Sequence, residues 1–180
     1  MRIAVIAPVW IPVPPEGYGG IERMLKLLVD ELAERGEEVT LFAAGSSRTQ
    51  ARQVIYLEQA PTRHMGETLF DAYHVGQAYR TIAREPFDLV HDHSGFLGPA
   101  FAGLIPQPVV HTLHGPFTRD TRMFYSAFRG DCYYVAISHR QREDFPHLNY
   151  LGVVHNAVDV EEYCSAEEKG DYLVCVSRIC

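Results

Sequence analysis

One stretch constrains this chain more than any other. A short apolar run, Arg2-Ile3-Ala4-Val5-Ile6-Ala7, leads through a proline-rich segment to Gly17, Gly19 and Gly20, and then to Ile21, Leu25, Leu28, Val29 and Leu32 at helical spacing. The run predicts a buried strand, and the periodic residues predict a helix from about Ile21 to Arg35 that stops at Gly36. Glu38 to Ala44 reads as a second strand, with Gly45-Ser46-Ser47 as its exit. Strand, helix and strand in this order make a βαβ unit with a parallel pair. The connection from Pro8 to Gly17 is longer than an ordinary strand-to-helix loop, and such loops tend to carry function. Gly19 and Gly20 fall where the loop becomes the helix. Unpaired N–H groups and the positive end of the helix dipole favour an anion there, and the missing Cβ atoms allow close approach. Phosphate or pyrophosphate is the natural guest. From this stretch alone, a tight turn with no ligand explains the glycines equally well.

The same alternation continues. Val54 to Leu57 reads as a third strand, and Met65, Leu69, Tyr73, Gly76, Tyr79 and Ala83 predict a long amphipathic helix over His64 to Arg84, closed by Pro86. Asp88 to His93 predicts a buried strand ending in polar residues, followed by a short helical stretch from Phe96 to Leu104. Pro108 to His114 and Tyr133 to Ser138 are further strands, separated by a helix near Arg119 to Arg129. Ser138 suits an N-cap for the segment running to Phe145, and Tyr150 to His155 is a last strand before the turn Asn156 to Asp159. The expected fold is therefore α/β, a doubly wound, mostly parallel, Rossmann-like sheet. Residues 165–170 read as a linker, and Asp171 to Arg178 as the beginning of a new strand. The expected division is a domain over 1–164 and, over 165–180, the start of an otherwise missing second domain.

Composition removes several functions. The 180 residues suit one ordinary domain, and 47% hydrophobic content describes a chain with a real core. A formal net charge of -7 and a pI near 5.7 argue against duplex nucleic acid as a partner. Arg119, Arg122 and Arg129 read as one solvated helix face. No apolar run reaches the length of a membrane span, and Pro8, Pro12, Pro14 and Pro15 interrupt the N-terminal apolar stretch before it can act as a signal peptide. The expected compartment is the cytoplasm. Cys132, Cys164, Cys175 and Cys180 show no CxxC spacing and read as reduced thiols.

In open α/β sheets, ligands bind outside the carboxyl ends of the strands. The polar residues at those ends are His91, Asp92 and His93, then His111, Thr112 and His114, then Ser138 and His139, then His155 and Asn156. His91 and His93 with His111 or His114 offer imidazoles to a zinc ion, but the longer histidine signatures of zinc hydrolases are absent. Satisfied or solvent-lining histidines account for the pattern, with His114 the candidate for the edge of a ligand pocket. A nicotinamide dehydrogenase fits worse. Glu22 stands where the third glycine of G-x-G-x-x-G belongs, and the second strand ends in Ala43-Ala44-Gly45 with no acid for a ribose hydroxyl.

Taken in order, Met1-Arg2-Ile3-Ala4 with Tyr18-Gly19-Gly20-Ile21-Glu22, Arg35 to Leu41, Asp88 to His93, Val110 to Gly115, Val135 to Ser138 and His155 to Asp159 carry a resemblance. The chain resembles the N-terminal half of a family 4 glycosyltransferase of the GT-B fold. It departs at Glu37, where histidine is common, and at Ala157, where glycine is common. The resemblance implies two Rossmann-like domains facing each other across a cleft, this one mainly receiving the acceptor. It implies transfer from a nucleotide-sugar donor with retention of configuration, needing no metal or other cofactor. The acceptor (small molecule, glycan or lipid-linked) is not identified. By resemblance, Tyr18, Gly19, Gly20 and Glu22 lie near a phosphate, and His93, Ser138 and Asn156 near substrate. His114 takes a positioning and polarising role beside the transferred sugar, and the departing phosphate accepts the acceptor's proton. Arg178 matches a diphosphate-binding arginine, but Ser177 replaces the glycine before it, and the lysine and acidic pair that should follow are absent. The chain alone is accordingly expected to be inactive. A non-catalytic module that pairs with itself or with a donor-domain chain is the rival expectation.

Overall fold

The computed structural model describes residues 1–162, 170, 171 and 173–175. Seven strands form one parallel sheet in the order β3-β2-β1-β4-β5-β6-β7. They are β1 (Arg2–Ile6), β2 (Glu38–Ala43), β3 (Arg52–Ile55), β4 (Leu89–Asp92), β5 (Val109–Leu113), β6 (Tyr133–Ala136) and β7 (Tyr150–Val153). The helices between them are α1 (Gly20–Glu34), α2 (Thr68–Ile82), α3 (Leu97–Ala102), α4 (Arg119–Ala127) and α5 (His139–Asp144). The doubly wound, Rossmann-like expectation therefore holds.

Two boundaries moved for physical reasons. Strand β3 begins at Arg52 rather than Val54, because Arg52 and Gln53 pair with Thr40 and Leu41 of β2. Apolar patterning could not announce polar residues on an edge strand. Helix α2 begins at Thr68 rather than His64, since a separate 3-10 turn over Thr62–His64 precedes it and Gly66 turns the chain at a φ of +94°. The strand expected over Asp171 to Arg178 is not formed at Asp171 or at residues 173–175. Arg178 and the rest of that stretch lie outside the described residues.

Right-handed crossovers decide which helix covers which face. The step from β1 to β2 places α1 on one face, where Met24, Leu25 and Val29 pack on Ile3, Val5 and Leu41. The return from β3 to β4 and the onward steps place the other helices on the opposite face. There Val75, Tyr79 and Ile82 of α2 pack with Ile6, Phe42 and Val90. As a result, the α1 face of β4 to β7 carries no helix among the described residues. A recess of about 550 Å³ remains between Met24, Leu28 and Leu32 of α1 and His91, Thr112 and Val135 of the sheet. Parallel sheets are normally covered on both faces, so this bare half is a feature of the chain's surface.

Candidate functional site

All seven carboxyl ends lie along one edge of a parallel sheet, and each sequence-selected site residue within the described region follows one of them. The proline-rich loop brings β1 into α1. Gly19 adopts a φ of +152°, and a Cβ there would lie 2.7 Å from Pro15 Cβ and 2.9 Å from Glu22 Oε2. Only glycine fits. Gly19 O accepts the first helical bond from Arg23 N at 3.0 Å.

The first turn of α1 is not the wholly open row of amides that the sequence led us to expect. Glu22 is buried, and its carboxylate folds back onto its own N–H. Burial raises its pKa, and that bond partly opposes the rise. The amides of Gly20 and Ile21 are left without a protein acceptor among the described residues. Gly20 is exposed, and nothing lies within 4 Å of the position its Cβ would take. It opens on a recess of about 350 Å³ that Arg23 and Lys26 share with Asp159 and Glu162. Arg23 donates to Gly17 O at 3.3 Å and lies 3.8 Å from the Glu162 carboxylate, while Lys26 pairs with Asp30. Tyr18, 72% exposed, lines a separate recess of about 600 Å³ with Gly17, Gly45 and Gln59.

The turns after β4 and β5 carry a chain of histidines. His91 Nε2 meets Thr112 Oγ1 at 3.0 Å, and the His91 and His93 rings lie 4.1 Å apart. His93 Nδ1 meets His114 Nε2 at 2.9 Å. Burial lowers the pKa of His91 and of His114 to about 4, and that of His93 well below its usual range. These rings are therefore neutral at pH 7. No three histidine, cysteine or acidic side chains among the described residues are placed to share a metal ion.

Behind this row, on the α2 face, Asp92 braces the turn that carries His93. Its carboxylate accepts from Ser94 N and Ser94 Oγ at 2.7 Å each and from Tyr79 OH at 2.6 Å, with His111 Nδ1 3.6 Å away. Burial pushes the Asp92 pKa up, but His111 and these hydrogen bonds outweigh it and hold the group below the usual carboxylate value. Gly98 of α3 leaves the room: a Cβ there would lie 2.1 Å from Asp92 Oδ2. Gly98→Ala is expected to lower stability by about 3 kcal/mol, as overpacking does against a group that cannot move. Urea unfolding at pH 7 measures it, and a change under 1 kcal/mol by the same scale would remove the brace from the account.

Ser138 serves as the expected N-cap, its hydroxyl accepting from Gln141 N at 3.1 Å. Gln141, which the sequence did not single out, ties the neighbouring turns together. Its amide donates to Leu113 O at 3.2 Å and Gly115 O at 2.9 Å, the residues on either side of His114, and accepts from Ile137 N at 2.9 Å. A lone glutamine in a polar helix gives no sequence signal for such a clamp. Asn156 is exposed and lines the larger recess with His93, while His155 donates from Nδ1 to Ile137 O at 3.0 Å. The structure thus joins His93 to His114 directly and sets Asn156 on the same recess as His93. Gly20 sits in the adjoining recess, which meets the larger one at Leu27 and Ala157.

Comparison with known proteins gives a family and a similar fold. A family model described as Glycosyltransferase Family 4 matches residues 18–162. A solved structure, "Crystal structure of AviGT4, a glycosyltransferase involved in Avilamycin A biosynthesis", is similar with a TM-score of 0.59 and 24% identity. That likeness speaks for the fold. It covers 92% of this chain and 44% of the AviGT4 chain, so the chain spans less than half of that protein's length. No curated protein sequence matches.

Proposed function

The chain belongs to glycosyltransferase family 4, and we propose that it is the acceptor-side domain of an enzyme that moves a sugar from a nucleotide-sugar donor to an acceptor with retention of configuration. The observation that carries this reading is the start of α1. Gly20, whose amide and that of Ile21 have no protein acceptor among the described residues, lines a recess there with Arg23 and Lys26, at the carboxyl edge of the sheet. Negative charge develops on the departing diphosphate as the glycosidic bond breaks, and fixed N–H dipoles aimed at that charge favour the transition state over the ground state. Arg23 lies close to Glu162 and Lys26 pairs with Asp30, so both cations already face a carboxylate while the amides do not.

In this reading the departing phosphate takes the acceptor's proton, and no metal or other cofactor enters. His114 positions and polarises. Its Nδ1 is buried with no protein partner, and it is the ring nitrogen left to meet a substrate hydroxyl. Such contacts are commonly long or misaligned until substrate closes the site. Tyr18 and Asn156 border the substrate, and Glu22 supports Gly19 from below. Arg178 is assigned to the donor diphosphate, and 165–180 to the opening of a donor domain, by resemblance alone. No helix among the described residues is long and apolar enough to cross a membrane, and a cytoplasmic enzyme is proposed. Thermal unfolding of the chain with pyrophosphate and nucleotide-sugars tests the reading. Ligand at about 100 times its Kd adds roughly 2.7 kcal/mol to the native state and raises the midpoint. The rise is expected in wild type and not in Gly20→Val; an equal rise in both would dismiss the glycine turn as the site.

A second reading, a module that pairs with a copy of itself, is favoured by the bare half of the sheet, where Tyr133 is 42% and Val154 63% exposed. Mass from size exclusion with light scattering separates the two. Pairing doubles the mass of 20.3 kDa, and a monomer at high concentration removes this reading.

A further inference from the structure

The contact between His93 and His114 links two turns that the sequence separates by 21 residues. The rings are nearly parallel, 26° apart in plane, with centroids separated by 5.2 Å. His93 is 2% exposed. The two nitrogens that face away from the contact, His93 Nε2 and His114 Nδ1, are buried and have no protein partner. His93 also lines the large recess beside α1, together with His91 and Thr112.

A neutral imidazole carries one N–H and one bare nitrogen. One proton occupies the shared contact, which leaves two arrangements. In the first, His93 donates from Nδ1 to His114 Nε2, so the proton of His114 itself sits on Nδ1. In the second, His114 donates from Nε2 to His93 Nδ1, so the proton of His93 itself sits on Nε2. Both rings therefore carry the same tautomer. A mismatched pair sets two lone pairs or two protons against each other in a buried site, at the cost of an unmade hydrogen bond.

We propose that His93 is a positioning residue that fixes the ring orientation of His114 and locks its tautomer to match that of His93. The consequence for transfer rests on the assignment of His114 to the substrate site. A hydroxyl donating to His114 Nδ1 selects the second arrangement, in which the proton of His93 lies on Nε2. An oxygen that accepts from His114 Nδ1 selects the first. The choice moves one proton along the shared contact and one between the outer nitrogens, so the pair stays neutral throughout. Gln141 complements the device by holding the carbonyls of Leu113 and Gly115, which fixes the backbone under His114 while His93 fixes its ring.

Long-range 1H–15N spectra of the histidine-labelled chain at pH 7 test this directly. His93 and His114 should show the same protonated ring position. His93→Phe removes the partner and should change the tautomer balance of His114. His93→Asn, whose amide reaches the Nδ1 position and can donate or accept there, should restore the wild-type balance. Opposite tautomers in wild type would overturn the proposal even if neither variant folds, as would an unchanged His114 tautomer in His93→Phe. In a two-domain enzyme, the Phe variant should lower kcat on the order of 10²-fold with KM unchanged, the effect of a misplaced group. Recovery in the Asn variant separates positioning from general damage. The spectra decide the role of His93 whether or not the enzyme turns over, so failure of the transferase reading remains distinguishable.

Discussion

In a two-domain form of the enzyme, Gly20→Val should cut kcat/KM by about 10²- to 10³-fold, the range seen when one preorganised oxyanion donor is lost. The expected loss is catalytic and not structural. Gly20 is exposed and the space around its Cβ position is open, so valine can be built without moving the protein. What the side chain does occupy is the recess that Gly20 lines with Arg23 and Lys26. His114→Ala should cost a similar factor by removing the ring that the proposed function sets beside the transferred sugar. Wild-type turnover in both variants, with unfolding curves unchanged, would remove the site assignment altogether.

Acid should destabilise this domain strongly, well above the range where carboxylates protonate. His74, His91 and His114 each have a folded pKa lowered to about 4, in every case chiefly by burial, and His93 is lowered in the same direction. The unfolded chain titrates these groups near 6.5, so between 6.5 and 4 it binds more protons than the native state. Stability is therefore complete above pH 6.5 and falls as pH falls. At pH 5 each of the three shifts to about 4 is worth about 2 kcal/mol. Asp71 acts in the opposite sense. Burial, aided by Asp92, raises its pKa to about 7, so its buried carboxyl disfavours the native state increasingly as pH rises from 4 to 7. Moving from pH 7 to 5 relieves about 2 kcal/mol of that penalty. The net expectation is a loss of about 4 kcal/mol between pH 7 and pH 5, with His93 adding to it. Urea unfolding at the two values measures it, and Asp71→Asn should raise stability at pH 7 and steepen the fall. A flat profile over this window would mean that the histidines are charged or solvated in the native state.

The strands were legible because each central one is a short apolar run ending in polar residues, as Leu89-Val90-His91-Asp92 shows. Edge strand β3 was displaced because pairing with β2, not patterning, fixes Arg52 and Gln53. The start of α1 was legible from Gly19, which only a left-handed turn explains, but the fold-back of Glu22 was not, since an acid in a first helical turn looks the same whether it faces solvent or its own amide. His114 was selected at the sequence level, yet its bond to His93 depends on how closely two neighbouring strands bring their exit turns, and no local pattern encodes that. The need for glycine at 98 arises from Asp92, six residues earlier and on another element. The bare face of β4 to β7 follows from topology, because every crossover after β3 runs in one direction.

The central claim is that the start of α1 receives a phosphoryl group. Titrating pyrophosphate into the 15N-labelled chain and following its amide resonances tests this most directly. The account predicts saturable movement of the Gly20 and Ile21 amides, abolished in Gly20→Val. Binding that leaves both amides unmoved while other resonances shift would contradict it.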